Sequence, residues 1–331
     1  HHVVVVKSTV VPGTTDGPVT RTLEKSSGKV AGSDFSVASN PEFLTEGRAV
    51  FDFREPDRIV IGVDGERGEK VLRDVYSSFD RTPLLVTNAR TAEMIKYASN
   101  ALLATMISFT NELANLGAAV GDIDTTEVMT GVHLSRYLTT WTDGGPVTAE
   151  IASFLEAGCG FGGSCLPKDV DALSAHAQRV GTGHALLDAV LETNANQPSQ
   201  LVDIVERELG SLEGATVVVL GLAFKPDTSD IRETPAVPVI EDLLARGARV
   251  VVHDPIVQVA DLPDSISERV TRAADLADAV GAGEAIVLVT KWDEYQALPQ
   301  LLNGIEKAPV LVDGRRVIAP ESVPRYSGIG Y

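Results

Sequence analysis

Several things are scarce in this sequence, and each scarcity narrows the reading. Cysteine occurs only twice in 331 residues, too few for a disulfide framework, so a reducing cytoplasm is the expected home. Basic side chains are few: 28 Lys and Arg face 46 Asp and Glu, a formal charge of −18. Phosphate contacts need a basic face, so nucleic acid is not an expected partner. An acidic balance of this size fits salt adaptation or a solubility device, and any anionic ligand must be met by a local cluster of cations. No apolar run approaches the roughly 18 residues of a membrane span, so no membrane partner is expected, and no signal-peptide pattern opens the chain. No His or Cys stands at metal-ligand spacing from Cys159, which argues against zinc and for a small buried hydrophobe. Short-period repeats and low-complexity segments are absent as well.

What is present reads as α/β. His2 to Val10 begins with four valines, a β-branched run without alternation that suits a parallel strand covered on both faces. Helices are predicted over 19–26 and 68–79, and strands over 35–38, 58–62 and 83–86. From Thr91 the period changes, and Met94, Ala98, Leu102, Phe109, Leu113 and Leu116 mark one long helix, apolar around much of its circumference. Residues 131–145 read as loop, 169–180 as helix, and 184–209 as a helix that Pro198 should break or kink. A second α/β unit follows, with strands at 215–220, 249–253, 285–290 and 310–313 and a helix over 236–246 that Gly247 ends. Alternation at this spacing predicts doubly wound parallel sheets. The expected domains are 1–88, 89–200 and 201–331.

The most informative run is Gly160-Phe161-Gly162-Gly163-Ser164-Cys165-Leu166-Pro167-Lys168-Asp169. Backbone without a Cβ can approach a ligand closely, and a thiol near an ammonium ionises more readily to the nucleophilic thiolate. Cys165 therefore reads as a covalent catalyst rather than a core cysteine. Lys96 and Asn100, four apart on the long helix, project from one face; Lys96 suits an oxyanion and Asn100 a sugar hydroxyl, against a reading of snorkelling lysine and satisfied asparagine. Glu42 and Glu46 share a face if the turn after Asn40-Pro41 is helical, and two like charges in one cleft would make a general base; solvated acids in a first helical turn are the plainer reading. Ser8 and Thr9 end the first strand, where doubly wound folds bind ligands, or simply cap a helix. After Leu220, Gly221 opens a turn like a phosphate turn but short of its glycines, so Lys225 and Arg232 are expected to hold anionic groups. Arg315 and Arg316 add a second cationic pair that could complete a diphosphate clamp.

In this order these segments resemble the UDP-glucose/GDP-mannose dehydrogenase family: Lys7-Ser8-Thr9-Val10, Asn40-Pro41-Glu42-Phe43-Leu44, Lys96 with Asn100, Gly160 to Asp169, Gly221 to Arg232, and Asp313-Gly314-Arg315. The likeness covers essentially the whole chain. Lys225 and Asp313-Gly314-Arg315 look more like its UDP-glucose branch, while Gly163 to Val170 suits the GDP-mannose branch equally. The resemblance implies Rossmann-like sheets joined by a long central helix, a homodimer through that helix, and NAD-dependent four-electron oxidation of UDP-glucose at C6 to UDP-glucuronate. It implies Cys165 as nucleophile, Lys96 on oxyanions, and Asp169, Glu42 and Thr9 on water, with Asn100 supporting the sugar. Ser8, Thr9, Glu46 and Arg232 map near the cofactor. Glu42, Phe43, Leu44, Lys96, Asn100, Phe161, Gly162, Lys225 and Arg315 map to the substrate.

Two departures stand out. The family opens on a glycine-rich turn that cradles the NAD pyrophosphate on a helix N-terminus. No such turn opens the first unit here, so the N-terminal Rossmann domain is expected to be truncated by roughly a hundred residues, with an incomplete cofactor site. The family also carries an arginine upstream of the glycine loop that reaches the neighbouring subunit's substrate; Ala149 stands at that place, and Arg136 substitutes only if the loop is rearranged. GDP-mannose and UDP-N-acetylhexosamines remain rival substrates. A nucleotide-sugar-binding remnant without catalysis and a thiol-dependent aldehyde dehydrogenase unrelated to nucleotides are rival functions.

Overall fold

The four valines form β1 (His2–Val6), which runs parallel to β2 (Phe35–Ser39). β3 (Ile59–Val63) pairs antiparallel with β2 and parallel with β4 (Leu84–Thr87), giving a four-stranded sheet in the order β1-β2-β3-β4. This sheet is mixed, not parallel throughout. The only helix between β2 and β3 is Ala49–Arg54, about 9 Å long at 1.5 Å per residue. It is too short to carry the chain back along a strand of about 17 Å. β1 also departs from expectation: it lies at a sheet edge and its valines are half-buried. The computed structural model describes all 331 residues and divides into two compact units, His1–Leu102 with Ala172–Gly183, and Leu103–Asp171 with His184–Tyr331.

The long helix, Ala89–Val120, is seated on β3 in the first unit. A Cβ at Gly62 would lie 2.6 Å from that of Ala92, so only glycine lets the helix start approach so closely. The first unit's core is small: Ala38, Ile59, Ile61, Val63 and Leu72.

In the second unit, Asp124 caps the helix Thr125–His133 through the Thr126 amide. Where a loop was expected, β5 (Thr139–Thr142) and β6 (Gly145–Thr148) make a hairpin turning at Asp143-Gly144. Asp-Gly is a hairpin-turn signal that the surrounding threonines and absent apolar alternation obscured. The helix Leu166–Val180 begins three residues earlier than expected, and Ala185–Leu209 continues through Pro198. β7 (Thr216–Leu220), β8 (Arg249–His253), β9 (Val270–Arg272), β10 (Ala285–Leu288), β11 (Val310–Asp313) and β12 (Tyr326–Gly328) form a parallel sheet ordered β12-β11-β10-β7-β8-β9. This is the doubly wound order, and it reverses between β7 and β10, where such sheets open a ligand crevice at their carboxyl ends. β10 and β11 are wholly buried, packed with Leu201, Val205, Ile240 and Leu243. Each such side chain contributes about 1.5–3 kcal/mol of burial, which keeps the crevice on a rigid base.

Candidate active site

In the first unit, the residues at the carboxyl ends of β1 and β2 meet the long helix. Asn40 is buried and donates to the Val60 carbonyl; its amide oxygen accepts from Lys7 Nζ at 2.9 Å and from the Tyr76 hydroxyl. Burial lowers the Lys7 pKa while Glu42 pulls it upward; burial raises that of Tyr76 against the Asn40 bond. This anchors the segment that follows. Residues 40–46 are irregular, so Glu42 and Glu46 are not on one helical face. Glu42 accepts from the Leu44 amide at 2.6 Å and stands 3.6 Å from Lys96 Nζ. Lys96 is 5% exposed: it does not snorkel. Its ammonium lies 5.5 Å from the Phe43 ring, and Arg58 covers that ring at 3.9 Å. Asn100 shares the buried face. Ser8, Leu44 and Glu46 are exposed and Thr9 is half-buried. Their hydroxyl and carboxylate groups suit ribose hydroxyls and a carboxamide, the donors and acceptors a nicotinamide nucleotide presents.

In the second unit, Cys165 is exposed and directly precedes the helix Leu166–Val180, its carbonyl accepting from the Asp169 amide. Cys165 thus stands at the N-terminal end of that helix, the end that carries the partial positive charge of the helix dipole. Ser164 Oγ is 3.8 Å from Sγ. Asp169 is buried at 1% and pairs with the exposed Lys168, so the carboxylate, not the ammonium, is the sequestered group. The backbone of the glycine run is fixed in place: the Asn194 side chain accepts from the Phe161 amide at 2.8 Å and donates to its carbonyl at 3.0 Å, and Gly163 donates to the Arg232 carbonyl. A Cβ at Gly162 would lie 2.1 Å from the Glu233 carbonyl; no other residue fits. Gly158 to Gly163 has the literal G-x-G-x-x-G spacing, but no strand leads into it, and its amides at Gly158, Cys159, Phe161 and Gly163 already donate to protein acceptors. It is not a dinucleotide turn.

The crevice at the switch between β7 and β10 has a volume of about 230 Å³, and Phe161, Phe224, Lys225, Lys291 and Arg315 line it. Arg315 donates to the carbonyls of Val289 and Gly160 and is thereby aimed between the glycine run and β10. Asp313 organises that turn, accepting from the amides of Arg315, Val317 and Ile318; burial raises its pKa against those bonds. The second cationic pair is not one: Arg316 turns away to Asp124 at 2.8 Å and to the carbonyls of Ile329 and Gly330, latching the C-terminal segment. Arg232 forks onto Asp230 and does not line the crevice.

Sequence reasoning missed four residues here. Asp254 is fully buried and accepts from the amides of Leu222, Ala223, Ile256 and Val257 and from the Trp292 indole. Its carboxylate takes the amides that a pyrophosphate takes in a dinucleotide turn, so an anion in this unit must be met by side chains. Lys291, at the end of the strand beside the switch, was signalled only by topology. Lys7 and Asn40 were quoted in the motifs without a role. Ala149 opens the turn Glu150–Phe154, and Arg136 is exposed ahead of β5.

A doubly wound unit with a cationic switch-point crevice, joined through a glycine run to an exposed cysteine at a helix start, defines a nucleotide-handling enzyme with a thiol. Family models agree. Residues 1–80 match the NAD binding domain, 90–196 the central domain and 218–320 the UDP binding domain of the UDP-glucose/GDP-mannose dehydrogenase family. The NAD binding domain's model matches the opening residues of the chain, which does not support the expected lack of that domain's N-terminal segment. The chain is 38% identical to the UDP-glucose 6-dehydrogenase AglM of Haloferax volcanii, over all of this chain and 73% of that protein. It is 41% identical to the UDP-glucose 6-dehydrogenase of Pseudomonas aeruginosa, over 89% of this chain and 65% of that one. The solved structure of a UDP-glucose dehydrogenase from Pyrobaculum islandicum superposes with a TM-score of 0.87 at 42% identity, covering all of this chain and 71% of that one. The chain belongs to the UDP-glucose/GDP-mannose dehydrogenase family.

Proposed function

We propose that the chain oxidises UDP-glucose at C6 to UDP-glucuronate with NAD⁺, through a covalent bond to Cys165. The observation that carries this reading is the continuity of one segment: Gly160 and Phe161 line the cationic crevice, and four residues further on Cys165 stands exposed at a helix start. Lys225, Lys291 and Arg315 suit a diphosphate there, charge-assisted and against a strongly acidic background. The names of the relatives supply the sugar.

When bound, NAD⁺ supplies the hydride acceptor for both oxidations; Ser8, Thr9 and Glu46 are the residues assigned to hold it, with Arg232 left in that group by the resemblance alone. The chain's own part is as follows. The Cys165 thiolate adds to the C6 aldehyde, forming a C–S bond while the carbonyl oxygen becomes an oxyanion that Lys96 holds. Loss of hydride from that carbon leaves a thioester. Water, positioned by Asp169, Glu42 and Thr9, adds to the thioester carbonyl; the C–S bond breaks, the thiol is regenerated, and the carboxylate leaves. Asn100 supports the sugar beside Glu42, Phe43 and Leu44, and Phe161 and Gly162 bound its glycosyl side.

Residues 1–88, 89–200 and 201–331 are read as cofactor-binding, helical dimerisation and UDP-sugar-binding domains. Leu102, Phe109 and Leu116, exposed at seven-residue spacing on the long helix, support a homodimer. The exposed thiol suits a reducing, cytoplasmic setting. Incubation with NAD⁺ and UDP-glucose should yield two NADH per UDP-glucuronate, with GDP-mannose and UDP-N-acetylhexosamines turned over at least about tenfold more slowly. Preferential oxidation of either rival, or UDP binding without NADH, rejects the reading.

A further inference from the structure

The long helix carries a third polar residue on the face of Lys96 and Asn100. Glu93, Lys96 and Asn100 are spaced by three and four, the spacing of one helical face, and are exposed by only 2%, 5% and 9%. Glu93 makes no use of a cation. Its two carboxylate oxygens accept from the amides of Gly13 at 2.7 Å and Thr15 at 2.8 Å, in the loop that leaves β1 just after Thr9. Gly13 has φ +91°, a conformation that favours glycine and turns its amide to the carboxylate. The Thr15 hydroxyl is buried with no hydrogen-bond partner, so the loop's placement satisfies Glu93 at the expense of its own side chain. A buried carboxylate is a poor means to stability alone, since apolar replacements often serve as well or better. The neighbouring Arg90–Asp16 pair ties the same loop at the exposed rim, where such pairs contribute little.

We propose that Glu93 is a positioning residue: it fastens the loop after β1, and Thr9 with it, to the helix face that carries Lys96. The catalytic consequence rests on the function proposed above; the fastening does not. Glu93→Gln keeps the shape but leaves one acceptor oxygen, and Glu93→Asp keeps the charge. In the Gln variant, amide exchange at Gly13 and Thr15 should speed about tenfold. Its kcat for UDP-glucose should fall about 100-fold, as misplacement remote from the chemistry does, with KM and UDP affinity held within about twofold. Glu93→Asp should recover at least about a tenth of the wild-type kcat, and Arg90→Ala should stay within about twofold. Unchanged exchange at the two amides overturns the proposal. So does a Gln variant with near wild-type kcat, or one whose UDP affinity falls in step with kcat. Should Glu93→Gln fail to fold, Glu93→Asp is read by the same exchange criterion. Should the wild-type chain oxidise no nucleotide sugar, the functional reading fails by itself, and exchange still decides the fastening.

Discussion

The two units solve the same architectural problem with unequal means. The second has six parallel strands, two of them wholly buried, and a core that runs through both faces of the sheet. The first has four strands of mixed direction, an apolar edge strand that is only half-covered, and a core cluster of five buried side chains, of which Ala38 and Ile61 have no exposure. Polar detail is distributed the opposite way. The first unit holds its loops with buried Glu93, Asn40 and Lys96, whereas the second devotes Asp254 and Asp313 to shaping rigid turns beneath the crevice. Under the proposed function the units divide the work: the second would bind the nucleotide and carry the nucleophile on a fixed base. The first presents hydroxyl, carboxylate and ammonium groups on loops tied by hydrogen bonds rather than by packing.

Substitutions can break or sharpen that division. The largest effect belongs to Cys165→Ser, which should lower UDP-glucuronate formation by at least about 10⁴-fold while leaving UDP affinity within about twofold; the readout is product by chromatography beside calorimetry with UDP. Lys96→Met should cost about 10²–10³ in kcat, as loss of an oxyanion donor does, again without weakening UDP binding. Arg315→Ala and Lys225→Ala should behave conversely. Each removes a charge-assisted contact worth about 1.5–3 kcal/mol, a tenfold or greater loss of UDP affinity by titration. If those two variants bind UDP normally, the crevice is not the nucleotide site. For stability, Ile61→Ala and Ile286→Ala each remove a fully buried isoleucine at about 2–5 kcal/mol. Exchange should place the amides of β7, β10 and β11 among the most protected and those of β1 among the least; the reverse order would refute the contrast.

The smallest effect is a pH dependence in the second unit. Burial pushes the Asp124 pKa up, but the Arg316 hydrogen bond, the Thr126 amide and the Arg316 charge outweigh it and leave it lowered. A lowered folded-state pKa means stability present above the ordinary Asp value near 3.8 and lost as pH falls through the lowered one. The C-terminal latch should therefore loosen only in strong acid, seen as faster exchange at the Thr125 amide that donates to Gly330; Arg316→Ala should remove that dependence.

Much of this was legible in the sequence where one signal sufficed. The valine-rich strands of the second sheet, the long helix, and the thiol after a glycine run all follow from local pattern. Legibility failed where a residue's meaning depends on a distant partner. Arg316 reads as a ligand cation because nothing local reveals Asp124, 192 positions away; Arg232 is the exception, since its partner Asp230 lies two residues before it. Glu93 carries no signal of its own in the sequence; its part is visible only once the loop after β1 is seen to donate to it. The spacing of Glu42 and Glu46 suggested a helical face, but Asn40, tied to Val60 and Lys7, and Pro41 hold that stretch irregular.

The central claim is that Cys165 bonds to the oxidised sugar. Intact-mass and peptide mass spectrometry of Asp169→Asn, quenched in acid during turnover of UDP-glucose with NAD⁺, tests it most directly. Slowed hydrolysis should trap a thioester, with the added mass of the oxidised nucleotide sugar on the peptide containing Cys165 and none on Cys159. UDP-glucuronate formed at wild-type rate by Cys165→Ser, with no adduct in either variant, would contradict it.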